Sequence, residues 1–245
     1  MTRIVRMTFL ISVLLVATLA AGVPRPKRQR ELLIETGKFH RDEITARRGQ
    51  VWLGLYVNGR EAVLRYSKIQ VRTVFDDVTD YGADTKTGKG VSVRGPRKPV
   101  LLLRPGAGLV PGSVISVFNQ RHPNFERTLE KVPVHLQLGK RSYVLKVVSP
   151  DKQPSQCREH AFPRNARLVL ASGKSSQTLY TLGDCGNEPY WYLVWAGDLD
   201  RDGKLDLYVN VTQHYDVSER KLFLSARARK GRLVKEVAAF VTGGC

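Results

Sequence analysis

Acidic residues, cysteines and internal repeats are all scarce in this chain of 245 residues. The chain has 22 Asp and Glu residues but 40 Lys and Arg residues, so its formal charge is +18 at pH 7. This excess predicts an anionic partner such as nucleic acid, an anionic membrane surface or an acidic polysaccharide. Three cysteines are too few for a disulfide-dense scaffold. A mean hydropathy of −0.26 excludes a polytopic membrane protein, and an apolar share of 42% is typical of a globular chain.

The first 22 residues have the pattern of an export signal. Arg3 and Arg6 precede an apolar run over Phe9–Ala21, and Gly22 follows. That run is shorter than the roughly 20 residues that a membrane-spanning helix needs. We therefore predict a secretory signal peptide over residues 1–22, with a retained N-terminal anchor as the alternative. The mature chain is expected to be periplasmic or secreted in a bacterium and to have no transmembrane segment.

A basic leader is expected next, over residues 23–31. Residues 24–30 (PRPKRQR) combine four cations with two prolines, a composition that predicts disorder. Removal of the signal peptide takes away only Arg3 and Arg6, so the excess of positive charge belongs to the mature chain.

Short alternating runs, separated by turn residues, follow the leader. Val51–Val57, for example, is followed by Asn58-Gly59, a two-residue hairpin signal. The pattern predicts an all-β fold of antiparallel sheets, sandwich or partial-propeller-like, in two β-rich halves. The polar, proline-containing segment 149–156 is the predicted boundary between an N-terminal β domain (32–148) and a C-terminal β domain (157–245).

Four aspartates stand close together in residues 197–207, GDLDRDGKLDL. Such carboxylates repel one another unless a cation lies among them, and calcium is a hard cation that takes about six to eight oxygen ligands. Carboxylates at alternate positions, followed by a glycine at a sharp turn, are typical of a loop that encloses this ion. The predicted ligands are the side chains of Asp198, Asp200, Asp202 and Asp206 and the carbonyl oxygen of Lys204, with Gly203 as the structural turn. An aspartate-rich turn without a metal is the alternative.

The flanks of this loop exclude an EF-hand. Val209 stands where an EF-hand has its bidentate glutamate, and Tyr190–Ala196 and Leu205–Val211 are predicted strands rather than helices. The pattern D-x-D-x-D-G-x-x-D between two strands resembles the calcium loop of FG-GAP or VCBS-type repeats. The resemblance implies a metal-stabilised β-turn, usually a structural site in extracellular adhesion or carbohydrate-associated proteins. Those repeats normally occur several times, whereas this chain has one copy, so a complete propeller is not expected.

The cysteines remaining after export are Cys157, Cys185 and Cys245. Because the predicted compartment is oxidising, we expect a disulfide between Cys157 and Cys185, with a Cys185–Cys245 bridge as the rival. No C-x-x-C motif is present, so neither a thioredoxin-like site nor a zinc ribbon is predicted.

Two surface features are candidates for ligand contact. Tyr190 and Tyr192 share one face of a predicted strand and are candidates for carbohydrate stacking, with core packing as the alternative. Cations are concentrated near the C-terminus and around a glycine-containing loop. The candidates for polyanion contact are Arg227, Arg229, Lys230 and Arg232, of which Arg227 and Arg229 are expected on one strand face. A second basic group consists of Lys86, Lys89, Arg94, Arg97 and Lys98. A solvated basic face without a ligand is the alternative for both groups.

These features predict an exported, calcium-binding, non-enzymatic β-rich protein whose basic surface contacts envelope polyanions or carbohydrate. Nucleic acid is not expected as the partner because the chain is exported. One alternative is a secreted hydrolase acting on polysaccharide or peptide, which would need a carboxylate pair or a nucleophile in a cleft. The other is a structural or assembly protein of the cell envelope.

Overall fold

Alternating apolar residues form antiparallel strands throughout the computed structural model. The structure describes residues 31–59, 61–82, 84–106, 108–120, 128–129, 131–149, 165–183 and 188–243. The predicted all-β class is confirmed, since no helix occurs within these ranges. Their strands are β1 (Leu33–Ile34), β2 (Gly37–Phe39), β3 (Val51–Asn58), β4 (Glu61–Val74), β5 (Gly88–Val93), β6 (Leu101–Leu103), β7 (Gly112–Asn119), β8 (Val134–Leu138), β9 (Arg141–Val148), β10 (Arg167–Ser172), β11 (Ser175–Thr181), β12 (Tyr190–Asp198), β13 (Asp206–Thr212), β14 (Val217–Leu224) and β15 (Lys235–Gly243).

The hairpin predicted at Asn58-Gly59 forms between β3 and β4. Asn58 lies opposite Glu61, and Gly59 has a φ of +63°, a left-handed conformation that a residue without a Cβ adopts at little cost. The two strands pair over the whole of β3, from Val51 opposite Lys68 onward.

The strands belong to two sheets. The larger sheet has 11 strands in the order β1-β6-β3-β4-β7-β12-β13-β14-β15, with β5 paired to β4 and β2 paired to β5. The smaller sheet has the order β11-β10-β9-β8.

The expected boundary at 149–156 does not separate two sheets. β7 pairs with β12, and β9 pairs with β10, so each sheet takes strands from both sides of that segment. The described residues lie in one compact unit that begins at Glu31. The local composition indicates a loop at this point. The pairing of strands depends on residues that are distant in sequence, so the composition of one segment does not reveal which strands pair.

Strand β12 lies between two apolar cores. Tyr192 and Val194 pack in the core formed largely by β1, β3, β4 and β6, whereas Trp191 and Leu193 pack in the core formed with β8–β10 and β13. Successive side chains of a strand point to opposite faces, so a strand buried on both faces is an almost continuous apolar run. This double burial holds the end of β12, and therefore the aspartate loop that follows it, in a fixed position.

Several predictions fall on residues that the structure does not describe. The signal peptide (1–22), all but the last residue of the leader (23–31), and Cys157, Cys185 and Cys245 lie outside the described ranges. Among the described residues, no helix has the length and apolarity that crossing a membrane requires.

Candidate metal centre

The β12–β13 hairpin brings three of the four predicted aspartates together. Asp198 is the last residue of β12, Asp206 is the first residue of β13, and Asp200 lies in the loop between them. Each offers a carboxylate oxygen, and these oxygens lie within 4.8 Å of one another. Asp206 is fully buried, and Asp198 is 5% exposed. These three residues, here called the aspartate cluster, form a group that could hold a metal ion.

Backbone amides of the loop orient the cluster. The Leu199 amide donates to Oδ2 of Asp206 at 2.7 Å, and the Gly203 amide donates to Oδ2 of Asp198 at 3.0 Å. The Asp202 amide donates to Oδ1 of Asp198 at 3.0 Å. These bonds wrap the loop around the carboxylates, as aspartate side chains in turns commonly do.

The segment that follows β14 supplies further amides, which the sequence did not indicate. The Ser225 amide, just after β14, donates to Oδ1 of Asp206 at 2.7 Å, and the Ala226 amide donates to Oδ2 of Asp200 at 3.2 Å. The register of β13 and β14, with Leu207 opposite Phe223, brings these amides to the cluster. No motif marks them, because any residue other than proline would present the same N–H group at those positions.

Asp202 was predicted as a ligand, but the structure does not place it in the cluster. Its Oδ1 accepts hydrogen bonds from the Ser225 hydroxyl at 2.8 Å and from the Lys204 amide at 2.8 Å. Its Oδ2 forms an ion pair with Lys204 Nζ at 3.0 Å. These partners hold the carboxylate against β14 and Lys204.

Gly203 was predicted as the turn residue of the loop, and it has a left-handed φ of +77°. Arg201 also adopts a left-handed conformation, with a φ of +63°. Its guanidinium donates to the carbonyl oxygens of Ser113 at 2.8 Å and Val110 at 3.1 Å. This side chain therefore anchors the loop to the start of β7, which compensates for the strain of a non-glycine residue at that position.

The described hydrogen bonds to the cluster bring no positively charged side chain to it. The hydrogen bonds described for Asp198, Asp200 and Asp206 all come from backbone amides. Burial raises the pKa of Asp206 to about 7, and burial also raises the pKa of Asp200. Burial opposes ionisation of Asp202 as well, but hydrogen bonds from Ser225 and Lys204 outweigh it and lower the pKa of that carboxyl. A cation among the three clustered carboxylates would favour their ionised forms.

The tyrosine face expected on β12 is not an exposed platform. Tyr192 is 4% exposed and belongs to a core cluster, and Tyr190 is half-buried against the same core with its ring 5.0 Å from that of Tyr192. The Tyr192 hydroxyl instead accepts a hydrogen bond from Nη2 of Arg220 at 3.2 Å. The structure therefore has the alternative arrangement, in which Tyr190 and Tyr192 pack against the core.

The C-terminal cations lie on a loop rather than on a strand face. β14 ends at Leu224 and β15 begins at Lys235, so the expectation that Arg227 and Arg229 share a strand face is wrong. The four candidates for polyanion contact are nevertheless all exposed on this loop: Arg227, Arg229, Lys230 and Arg232. The run of arginines follows a turn at Ser225, where the strand pairing has already ended.

No protein-family model, no curated protein and no solved structure matches this chain. The fold and the site define an all-β chain with an aspartate cluster at the turn of a hairpin, and two of the three aspartates are buried.

Proposed function

We propose that this protein is an exported, non-enzymatic, calcium-binding β protein, in which the ion stabilises the β12–β13 hairpin. The observation that carries the proposal is the aspartate cluster, whose three carboxylate oxygens lie within 4.8 Å and receive hydrogen bonds only from backbone amides among the described residues. Oxygen-only ligands suit a hard cation, and calcium accepts the irregular geometry that a loop provides.

The resemblance to FG-GAP or VCBS-type loops supports two further ligands. The carbonyl oxygen of Lys204 and a carboxylate oxygen of Asp202 would complete the set. Asp202 would then exchange its hydrogen bond from the Ser225 hydroxyl for the ion. The proposed role is structural, since the cluster lies at the ends of two buried strands and Asp206 is fully buried.

The second part of the proposal is contact between the basic surface and an anionic envelope polymer or carbohydrate. The exposed cations of the β14–β15 loop support it, because exposed cations attract anions without the cost of burying a charge.

Thermal unfolding in chelator and in millimolar calcium tests the metal proposal. Calcium at about 100 times its dissociation constant should add about 2.7 kcal/mol, which raises the Tm of a domain of this size by about 5–10 °C. Asp200→Asn should abolish the shift, whereas Asp84→Asn, at an exposed position away from the cluster, should retain it. An identical Tm for the unaltered protein in chelator and in calcium would refute calcium binding.

The pH dependence of calcium binding is a second test. Because burial raises the pKa of Asp206 to about 7 in the metal-free protein, calcium must displace a proton below that pH. We expect the affinity to fall by about tenfold per pH unit below about pH 7 and to level off above it. Isothermal titration calorimetry between pH 5 and 8 measures this, and Asp206→Asn removes the titrating group.

The same carboxyl predicts how the metal-free protein responds to pH. Its folded pKa lies above the ordinary 3.8, so the unfolded chain releases this proton first as the pH rises. The contribution of Asp206 to stability in chelator is therefore lost between about pH 4 and pH 7, and saturating calcium should prevent that loss. A contribution that grew with pH in chelator would contradict the burial of this carboxyl in the folded state.

A further inference from the structure

An open groove of about 810 Å³ lies beside β4, and none of its described lining residues belongs to the aspartate cluster or to the β14–β15 loop. β4 pairs with β3 as far as Lys68 and with β5 from Ile69 onward, and the groove lies at this change of partner. Tyr56 of β3, the loop before β3 and the segment that follows β5 complete its walls. It is here called the β4 groove.

Four cationic residues line the β4 groove, and all four are exposed: Arg48, Arg65, Lys68 and Arg94. None of the described residues that line the groove is acidic. No ion pair within the described part of the chain involves any of these four cations. A concave surface lined by charges of one sign focuses their field and concentrates counter-ions, so the β4 groove attracts anions.

The backbone holds the four cations in fixed relative positions. β4 carries two of them, and Arg94 directly follows β5, which pairs with β4. The Gly49 amide donates to the Ile69 carbonyl oxygen at 3.0 Å, which places Arg48 next to β4. Because these backbone positions are already set, binding of a ligand has to order only the side chains.

The Tyr56 ring orients one of the guanidinium groups. The Arg65 guanidinium lies over this ring, 3.8 Å from its centroid, in a cation–π contact. Tyr56 is 5% exposed, and its hydroxyl is hydrogen-bonded to the Ser67 hydroxyl at 2.7 Å, so the ring is fixed. A guanidinium that stacks by its face keeps the N–H donors in its plane available for a carboxylate or phosphate group.

A single exposed aromatic ring distinguishes between classes of polyanion. Tyr66 is 58% exposed, and it is the only exposed aromatic residue among the described residues that line the β4 groove. Proteins that bind single-stranded nucleic acid stack successive bases on several aromatic rings. One ring beside four cations instead favours a polymer of charged sugars, in which the apolar face of one sugar packs on the ring.

We propose that the β4 groove binds a short stretch of an acidic polysaccharide. The four cations pair with carboxylates of successive sugars, and one sugar ring packs on Tyr66. The groove volume lies in the usual range for ligand sites, which is about 300–1,000 Å³. This assignment rests on the proposed contact with envelope polyanions, for which it names the site and the recognised polymer, and it is independent of the proposed calcium site.

Isothermal titration calorimetry of the full chain with an alginate hexasaccharide, a short polymer of uronic acids, tests the proposal. The titrations are done in chelator, so that calcium cannot bridge the two molecules. We expect saturable binding that weakens as the sodium chloride concentration rises, and no binding of maltohexaose, which has the same length without charge. Binding of hexathymidylate as tightly as the alginate hexasaccharide would overturn the assignment to a polysaccharide.

Two pairs of substitutions test whether binding occurs in the groove. Arg48→Ala with Arg94→Ala should weaken binding of the alginate hexasaccharide about tenfold, and both positions lie outside the strands. Arg229→Ala with Arg232→Ala removes the same charge from the exposed β14–β15 loop and should change the affinity less than about twofold. Equal losses from both pairs would show attraction to net charge and would overturn the groove.

Substitutions of Tyr66 test the ring contact without changing the charge. Tyr66→Ala should weaken binding of the alginate hexasaccharide at least about threefold, whereas Tyr66→Phe, which keeps the ring, should retain the affinity. An unchanged affinity in Tyr66→Ala would overturn the contact with a sugar face, and with it the assignment to a polysaccharide.

These outcomes separate the groove from the proposed function. A loss of affinity confined to the Arg229 and Arg232 pair would refute the groove and leave the polyanion contact at the β14–β15 loop. Failure of the unaltered protein to bind either polyanion would refute both. Saturable binding by a protein whose Tm ignores calcium would refute the metal proposal and leave the groove in place.

Discussion

Replacing Gly197 by alanine is expected to destabilise the folded protein by about 3 kcal/mol or more. A Cβ at this position would lie far inside contact distance of the Ile115 carbonyl oxygen and 2.5 Å from the Trp195 ring. Neither neighbour can move cheaply, since Ile115 is a paired residue of β7 and Trp195 is fully buried. Urea denaturation measures the loss directly.

Gly197 also connects the fold to the candidate metal centre. It precedes Asp198 and lies opposite Asp206, at an irregularity in the pairing of β12 with β7. Such irregularities re-aim the residues that follow them. We therefore expect the folded fraction of Gly197→Ala to bind calcium more weakly than the unaltered protein.

Gly203→Ala is the matched control for this substitution. Gly203 has a left-handed φ of +77°, but an added Cβ would meet nothing within 4 Å. Only backbone strain remains, so the cost should be about 1–2 kcal/mol. If the two substitutions cost the same, the close approach of β7 to Gly197 would not be the cause.

Replacing Arg220 by methionine should cost about 3–5 kcal/mol, the second large effect that we expect. The Arg220 side chain is 23% exposed and pairs with Glu35, whose side chain is 15% exposed. Tyr208, which is fully buried, donates a hydrogen bond to Glu35 Oε1 at 2.6 Å. Without the guanidinium, the Glu35 carboxylate would remain in a largely buried position with no described cation beside it.

A second substitution tests this explanation. Glu35→Gln combined with Arg220→Met should recover a large part of the loss, because no unpaired charge remains. Lys38→Met removes one member of an exposed pair with Asp77, 3.9 Å apart and with both side chains at least 65% exposed, and should cost less than about 1 kcal/mol. A double variant no more stable than Arg220→Met alone would exclude the buried charge as the cause.

Much of the fold could be predicted from short stretches of sequence. The β3–β4 hairpin follows from alternation and the Asn58-Gly59 turn, and the aspartate loop follows from the spacing of its carboxylates around Gly203. Both signals are local. The hydrogen-bond partners of Asp202 were not predictable in the same way. Its hydrogen bond with the Ser225 hydroxyl forms because β14 ends beside the loop, and that position depends on the tertiary structure.

The sequence by itself determined the all-β class, the turns at Asn58-Gly59 and Gly203, and the loop of four aspartates after β12, of which the structure brings three together. These depend on residues within one hairpin, whose alternation and turn chemistry act over a few positions. Only the tertiary structure decided that β7 pairs with β12, that Arg201 anchors the loop 88 residues away at Ser113, and that Arg220 meets Glu35 across 185 residues. The physical reason is that sheet register and buried charge pairs are set by packing between distant strands, which leaves no local pattern in the chain.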